Sequence, residues 1–205
     1  TAGTIPLPIE DDNIALLAFP GHKSLLGPQG IGVLICRDDF QLEPLLYGGT
    51  GSYSELLEQP PSWPERYEAG TLNTPGIAGL SAGLDEVNRL SIEKIYAHEQ
   101  TLLQLCLEEM DTIDGLTAVG PKRLEDRVAV VSFSLQHVSS HEVAMILDEH
   151  YDIAVRAGLH CAPIAHRYLQ TANDGLVRAS FGPYNTEAEV RQFIQALRDI
   201  AAAFR

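Results

Sequence analysis

Residues 14–19 read IALLAF, a short apolar run bounded by acidic residues on one side and Pro20-Gly21 on the other. That is the pattern of a strand buried on both faces. Residues 31–36, IGVLIC, repeat it after a Gly-rich turn, so the two runs are expected to neighbour each other in one sheet. Residues 47–76 have little apolar periodicity and many breakers, and predict a long loop ordered by Tyr53, Trp63 and Tyr67. From 77 to 110, Ile77, Leu80, Leu84 and Val87, then Ile92, Ile95, Leu102, Leu103, Leu105 and Leu107, fall near helical spacing. A pair of helices bridging two domains is the expectation. The remainder alternates: strands over 127–135, 153–156 and 175–180, and helices over 140–151 and 186–204, the last opened by a capping box of Thr186 and Glu189. This predicts an α/β chain divided into 1–85, a linking helix over 86–110, and a small domain over 111–205 with a mostly antiparallel sheet.

Composition narrows the partners. The formal charge of −14, from 28 acidic against 14 basic side chains, opposes a nucleic-acid or anionic-membrane surface, both of which require a positive field. A small molecule or a protein fits better. Three scattered cysteines, Cys36, Cys106 and Cys161, suggest neither a disulfide framework nor a zinc ribbon, and point to a reducing cytosol. No run reaches the length of a membrane span and no signal-peptide pattern opens the chain, so a cytoplasmic protein is expected. The opening TAGTIPLPIE, without an initiator Met, reads like the interior of a domain entering its next strand, which suggests a fragment.

Chemistry gathers in four stretches. In FPGHKSLLGPQGIG, residues 19–32, Lys23 has no charged neighbour nearer than Asp12 and Arg37, and Leu25, Leu26 and Ile31 hem its stem. A desolvated lysine loses its proton readily and becomes a nucleophilic amine. PERYEAG followed by TLNTP sets Gly70 beside Thr71, which can offer a backbone N–H and a hydroxyl to a phosphate, although an ordinary turn reads the same way. VRAGLHCAPIAH brings Arg156, His160 and Cys161 within six residues and flanks them with Gly158 and Pro163. Cys161 is therefore expected on a loop, where a guanidinium and an imidazole favour the reactive thiolate; Cys36 and Cys106 read as inert packing residues. VRASFGPYNT sets Arg178 in a short strand, a costly place for a guanidinium unless a carboxylate meets it, whether a ligand's or one of the protein's own. An amine for an aldehyde, donors for a phosphate, a thiol and an arginine for a carboxylate together describe pyridoxal-phosphate chemistry on an amino acid.

The same residues carry a family likeness. GHKSLLGPQGIG resembles the cofactor-lysine motif of class V aminotransferases, RYEAGTLNTPGIAGL resembles their phosphate and dimer-contact segment, and RAGLHCAP with VRASFGPYNT resembles the cysteine-loop and arginine motifs of cysteine desulfurases. The short RxGxHCA loop looks like the SUF-type branch, which includes selenocysteine lyases. The resemblance implies a fold type I pyridoxal-phosphate-dependent transferase, here the C-terminal part of the large cofactor-binding domain plus a small C-terminal α/β domain. It implies Lys23 as the residue linked to pyridoxal 5'-phosphate, with His22 in the phosphate site. Gly70 and Thr71 would reach the phosphate bound in the other subunit of a homodimer. Cys161 would accept sulfur, Arg178 would clamp the substrate carboxylate, and Arg156 would help shape that pocket. No metal is implied.

Two positions depart from the family pattern. Pro20 stands where a hydroxyl residue is frequent, and Leu159-His160 stands where two histidines are usual, leaving one imidazole beside the thiol. The family's aspartate for the pyridine nitrogen, its glutamine and its ring-stacking histidine belong to sequence preceding Thr1, so the 205 residues correspond to the last half of such an enzyme. The activity implied for the intact protein is conversion of L-cysteine to L-alanine with a persulfide on Cys161, passed to an acceptor protein for iron–sulfur clusters or related cofactors; the fragment alone is expected to be inactive. The alternatives are another class V lyase, such as a selenocysteine lyase, or a non-catalytic binding or dimerisation module.

Overall fold

The computed structural model describes residues 2–7, 9, 13–37, 41–49 and 51–205. The chain divides into two compact units, Thr1–Ile92 and Glu93–Arg205. The expected linking segment over 86–110 comprises the end of helix α1 (Thr74–Leu90), Ser91 and helix α2 (Ile92–Met110).

In the first unit, β1 (Leu16–Pro20) and β2 (Gly32–Cys36) pair antiparallel, Leu16 opposite Cys36 and Pro20 opposite Gly32, as the two apolar runs predict. Burial on both faces does not follow. Their side chains alternate between exposed and half-buried, and Leu16, Leu34 and Ile35 stand open. A two-stranded ribbon cannot cover both of its own faces, and Cys36, read as a packing residue, is only half-buried in consequence. Among the described residues, the long connection between β2 and α1 contains two single 3₁₀ turns, Gly51–Tyr53 and Glu65–Tyr67. Order there rests on Tyr67, whose hydroxyl donates to the Leu42 carbonyl (2.9 Å) and accepts from the Leu42 N–H (3.1 Å), with Trp63 against its ring at 4.2 Å.

Helix α1 begins where the Asn73 side chain accepts from the Gly76 N–H, and Pro75 in its first turn needs no donor there. Its glycines let it lie on backbone. A Cβ on Gly83 would come within 2.4 Å of the Leu25 carbonyl oxygen, and one on Gly79 within 2.9 Å of the Pro28 ring.

The second unit is built on a four-stranded antiparallel sheet of order β3 (Leu116–Val119), β4 (Val130–Leu135), β6 (Leu176–Ser180), β5 (Arg156–Gly158). Strand β4 alternates buried and half-buried, and its Val131, Phe133 and Leu135 meet Leu102, Leu103, Cys106 and Met110 of α2 in one core. Val143 and Leu147 of α3 (Ser140–Tyr151) and Val190, Phe193, Ile194 and Leu197 of α5 (Glu187–Ala203) complete it. Each such side chain removed from water contributes about 1.5–3 kcal/mol. Cys106 is inert here, since burial pushes its thiol up to about 12.

The Thr186–Glu189 capping box forms as expected, and Ser139 with Glu142 makes a second one at α3. Two short elements escape the hydrophobic pattern: β3, with only four residues, and α4 (Pro163–Tyr168), a single turn and a half in what reads as a loop. Strand β5 begins three residues later than residues 153–156 suggest. Asp152 adopts φ 55° and the Ile153 N–H bonds to the Leu147 carbonyl, so the chain is still closing α3 there and cannot yet pair. Among the described residues no helix is long and apolar enough to cross a membrane.

Two consequences can be measured. Gly83→Ala forces the α1 backbone off the turn after Lys23 and is expected to destabilise the protein by about 1–3 kcal/mol in denaturant unfolding. Glu99 of α2 is buried, and burial pushes its carboxyl from 4.5 up to about 7, against the opposing effect of His98. The folded state then binds the proton more tightly than the unfolded one, so stability falls as pH rises from about 4.5 through 7. Glu99→Gln should raise the melting temperature by about 2–8 °C at pH 8 and leave it nearly unchanged at pH 4.5.

Candidate functional site

The residues singled out by the sequence form two groups, one in each unit. In the first unit β1 ends at Pro20 and the chain turns at once, with the Gly21 N–H bonded to the Ile31 carbonyl, the Gly27 N–H to the Gly21 carbonyl and the Leu26 N–H to the Lys23 carbonyl, each at 2.9 Å. Glycine is required at Gly21 and Gly27 by contact: a Cβ on Gly21 would come within 2.8 Å of Ile31, and one on Gly27 within 2.8 Å of the Gly21 oxygen. Thr4 Oγ1 donates to Ser24 Oγ at 2.9 Å, and Asn73 Nδ2 donates to the Gly30 carbonyl at 3.2 Å. Lys23 is thus carried on a stiff turn. It borders a cleft of about 340 Å³ with Leu7, Leu17, Ala18, Phe19 and Pro20 among its walls.

The desolvated lysine read from the sequence is not what this chain builds. Lys23 and His22 are both exposed, Leu26 points away from burial, and the buried Leu25 packs beneath the turn. The apolar character is supplied on one side only. Asp12 lies outside the described residues.

Gly70, at φ 84°, gives its N–H to the carbonyls of Gly48 and Gly49, both at 3.0 Å, so that donor is already used within the chain. Thr71 beside it is exposed, and its hydroxyl makes no hydrogen bond among the described residues. Arg66, which the sequence reading passed over, sits four residues before Gly70, in RYEAG. Its Nε is buried with no partner among the described residues, while its guanidinium lies 5.9 Å from the Tyr67 ring.

In the second unit the geometry is closer. Arg156 on β5 stands directly opposite Arg178 on β6. Like charges facing across a ladder repel, yet neither forms an ion pair among the described residues, and Arg178 Nε is buried without a partner. An intramolecular salt bridge, the competing reading for Arg178, is absent among these residues.

After β5 the chain turns through His160 (φ 51°) and Cys161 (φ 60°), two consecutive non-glycine residues in the left-handed region. The turn is closed by the Ala162 N–H on the Leu159 carbonyl at 2.8 Å. Cys161 is exposed, on a loop, as its Gly and Pro neighbours suggest. Its Sγ accepts from Arg156 Nη2 at 2.9 Å, and His160 Nε2 lies 3.0 Å from the Arg156 carbonyl oxygen. A carbonyl only accepts, so Nε2 carries the hydrogen and neutral His160 keeps its lone pair on Nδ1. Burial holds the His160 imidazole below its ordinary range, opposed by the bond to Arg156 and reinforced by the Arg178, His166 and Arg156 charges. The arrangement offers a thiol with a cationic donor, a neutral base, and two guanidinium groups that no carboxylate meets among the described residues, suited to an anion.

The sequence anticipated every member of this second group except His166, the last residue of VRAGLHCAPIAH, which is buried on α4. Only Pro163 at the first helical position could have announced that a helix turns His166 back toward the loop.

Known proteins share this fold. The aminotransferase class V family model matches residues 1–193. A probable cysteine desulfurase of Methanothermobacter thermautotrophicus is 39% identical over 190 residues, covering 90% of this chain and 47% of that protein. Another from Pyrococcus abyssi is 40% identical over 196 residues, covering 92% and 47%. Among solved structures, the apo form of a cysteine desulfurase from Thermococcus onnurineus superposes with a TM-score of 0.87 at 36% identity, over 99% of this chain and 51% of that one. The S-sulfonic acid form of an Escherichia coli cysteine desulfurase gives 0.85 at 31%, over 98% and 49%. The chain spans about half the length of these relatives. With a fold type I architecture over its whole described length, partial large unit and small α/β unit alike, the chain belongs to the aminotransferase class V family.

Proposed function

We propose that the full-length protein is a pyridoxal-phosphate-dependent cysteine desulfurase of the SUF type, acting as a homodimer and passing sulfur to an acceptor protein. The observation that carries the reading is the Arg156–Cys161 contact of 2.9 Å on a loop beside two arginines that no carboxylate neutralises among the described residues. A hydrolase or an amino-group transferase has no use for a thiol so placed. The cysteine desulfurase names carried by relatives at 39–40% identity support the same reading.

The residues fit the cofactor. Lys23 offers an amine on a rigid turn at the edge of a cleft, and Thr71 offers an unbonded hydroxyl of the kind a phosphate takes. His22 stands beside the amine. Gly70, its N–H consumed, serves by holding the turn that presents Thr71. When bound, the cofactor supplies an electron sink for the α carbon of an amino acid.

The chain's own residues do the rest. Arg178, with its buried unpartnered Nε, grips the substrate carboxylate, and Arg156 shapes the same anion pocket. Lys23 holds and returns the proton at the α carbon. Cys161, as thiolate, forms a bond to the substrate sulfur as the carbon–sulfur bond breaks; the electron pair left on carbon takes a proton, giving L-alanine and a protein persulfide. His160, neutral with a bare Nδ1, is equipped to take the thiol proton. Leu45, Leu46, Tyr47 and Leu57, all strongly exposed in the first unit, support coverage by a second copy.

In the full-length protein, borohydride reduction followed by peptide mapping should place the cofactor label on Lys23, and a label elsewhere would overturn the assignment. Cys161→Ala should keep the visible absorbance of the bound cofactor and release no sulfide from L-cysteine; normal desulfuration by that variant rules out the thiol role. Arg178→Gln is expected to raise KM for L-cysteine roughly 10- to 100-fold, the loss of a charged hydrogen-bonding partner.

A further inference from the structure

His166 has no part in the chemistry above, yet it is 4% exposed, an unusual depth for an imidazole so near an exposed thiol. It is held at several points. Its Nδ1 lies 2.8 Å from Thr171 Oγ1, its N–H donates to the Ala162 carbonyl at 3.1 Å, and its carbonyl accepts from the Thr171 N–H at 2.9 Å. Its ring stands 5.5 Å from that of His160, tilted by 53°. The sequence leaves one imidazole beside the thiol, at His160, because Leu159 precedes it. Helix α4 sets a second imidazole, His166, against the first.

We propose that His166 is a positioning residue: anchored by Thr171, it fixes the His160 ring in the orientation that donates Nε2–H to Arg156 and leaves Nδ1 as the proton acceptor of the cysteine loop. The inference rests on the reading of Cys161 as the working thiol. Any buried imidazole needs a partner; what favours positioning is that Thr171 grips His166 twice, by its hydroxyl at Nδ1 and by its N–H at the carbonyl, and so holds the ring face that stands 5.5 Å from His160. His160 is faced by Arg156 from β5, Arg178 from β6 and His166 from α4, with Cys161 next in the chain. Burial dominates in holding His160 low, and His166 adds to it; opening that side lets the His160 titration move up. A ring free to rotate also loses its bond to Arg156, the residue that holds the thiol.

The test is the pH dependence of Cys161 alkylation by iodoacetamide in the full-length protein, followed by mass spectrometry of the Cys161 peptide. It requires no turnover, so it is read equally well whether or not the desulfurase assignment stands. His166→Leu and Thr171→Val should each slow alkylation at pH 7 by about three- to tenfold, the worth of one supporting hydrogen bond, and should move the acid-side inflection to higher pH. His166→Asn, whose amide stands near the place of Nδ1, should restore most of the rate. A wild-type profile in Thr171→Val, the near-isosteric change, overturns the proposal even where His166→Leu fails to fold. So does an Asn variant that folds normally and behaves like the Leu variant.

Discussion

Arg156 holds the cysteine loop by both ends of one residue: its carbonyl accepts from His160 and its guanidinium donates to Cys161. The loop needs such a hold. His160 and Cys161 in succession occupy left-handed backbone, a conformation that costs about 1–3 kcal/mol for each non-glycine residue unless surrounding contacts determine it. Those contacts depend on β5, only three residues long, being fixed against β6. The two strands close tightly at their far end, where a Cβ on Gly175 would come within 2.4 Å of the Gly158 backbone. Glycine at 175, with φ 72°, therefore sets the ladder that aims Arg156.

The same ladder explains the local charge. A protein of net charge −14 repels anions over most of its surface, but Arg156 and Arg178 face each other without a carboxylate between them among the described residues. Their mutual repulsion is a standing cost that a bound anion relieves. A small anion is thereby drawn to the two guanidinium groups. Burying part of Arg178 sharpens the preference, since an unpartnered Nε away from water gains more from a carboxylate than a solvated one does.

In the first unit the governing constraint is backbone against backbone. The turn carrying Lys23 is pressed by α1 through Gly79 and Gly83 and tied by Asn73, so its stiffness comes from glycine contacts and hydrogen bonds. Apolar burial beneath the turn comes from Leu25 and Leu80, while the ribbon of β1 and β2 remains half-open.

Much of this was legible in the sequence. Thr186 and Glu189 announced α5, the alternation of residues 130–135 announced β4, and the order of the lysine, Gly-Thr, cysteine and arginine stretches announced the family, because each signal lies within a few consecutive residues. Other features depend on residues that the sequence keeps apart. The left-handed end of α3 displaced β5 to Arg156, and the strand register alone set Arg156 opposite Arg178. Whether Lys23 is dry is a property of what surrounds it, and the neighbouring leucines do not supply it. The fate of the Gly70 N–H was likewise decided by Gly48 and Gly49, some twenty positions away. The sequence by itself determined which chemical groups are present and which local elements carry them, since propensity, capping and hydrophobic period act over short range. Tertiary structure alone decided which groups meet and which are spent on one another, because those outcomes follow from packing and pairing between distant segments.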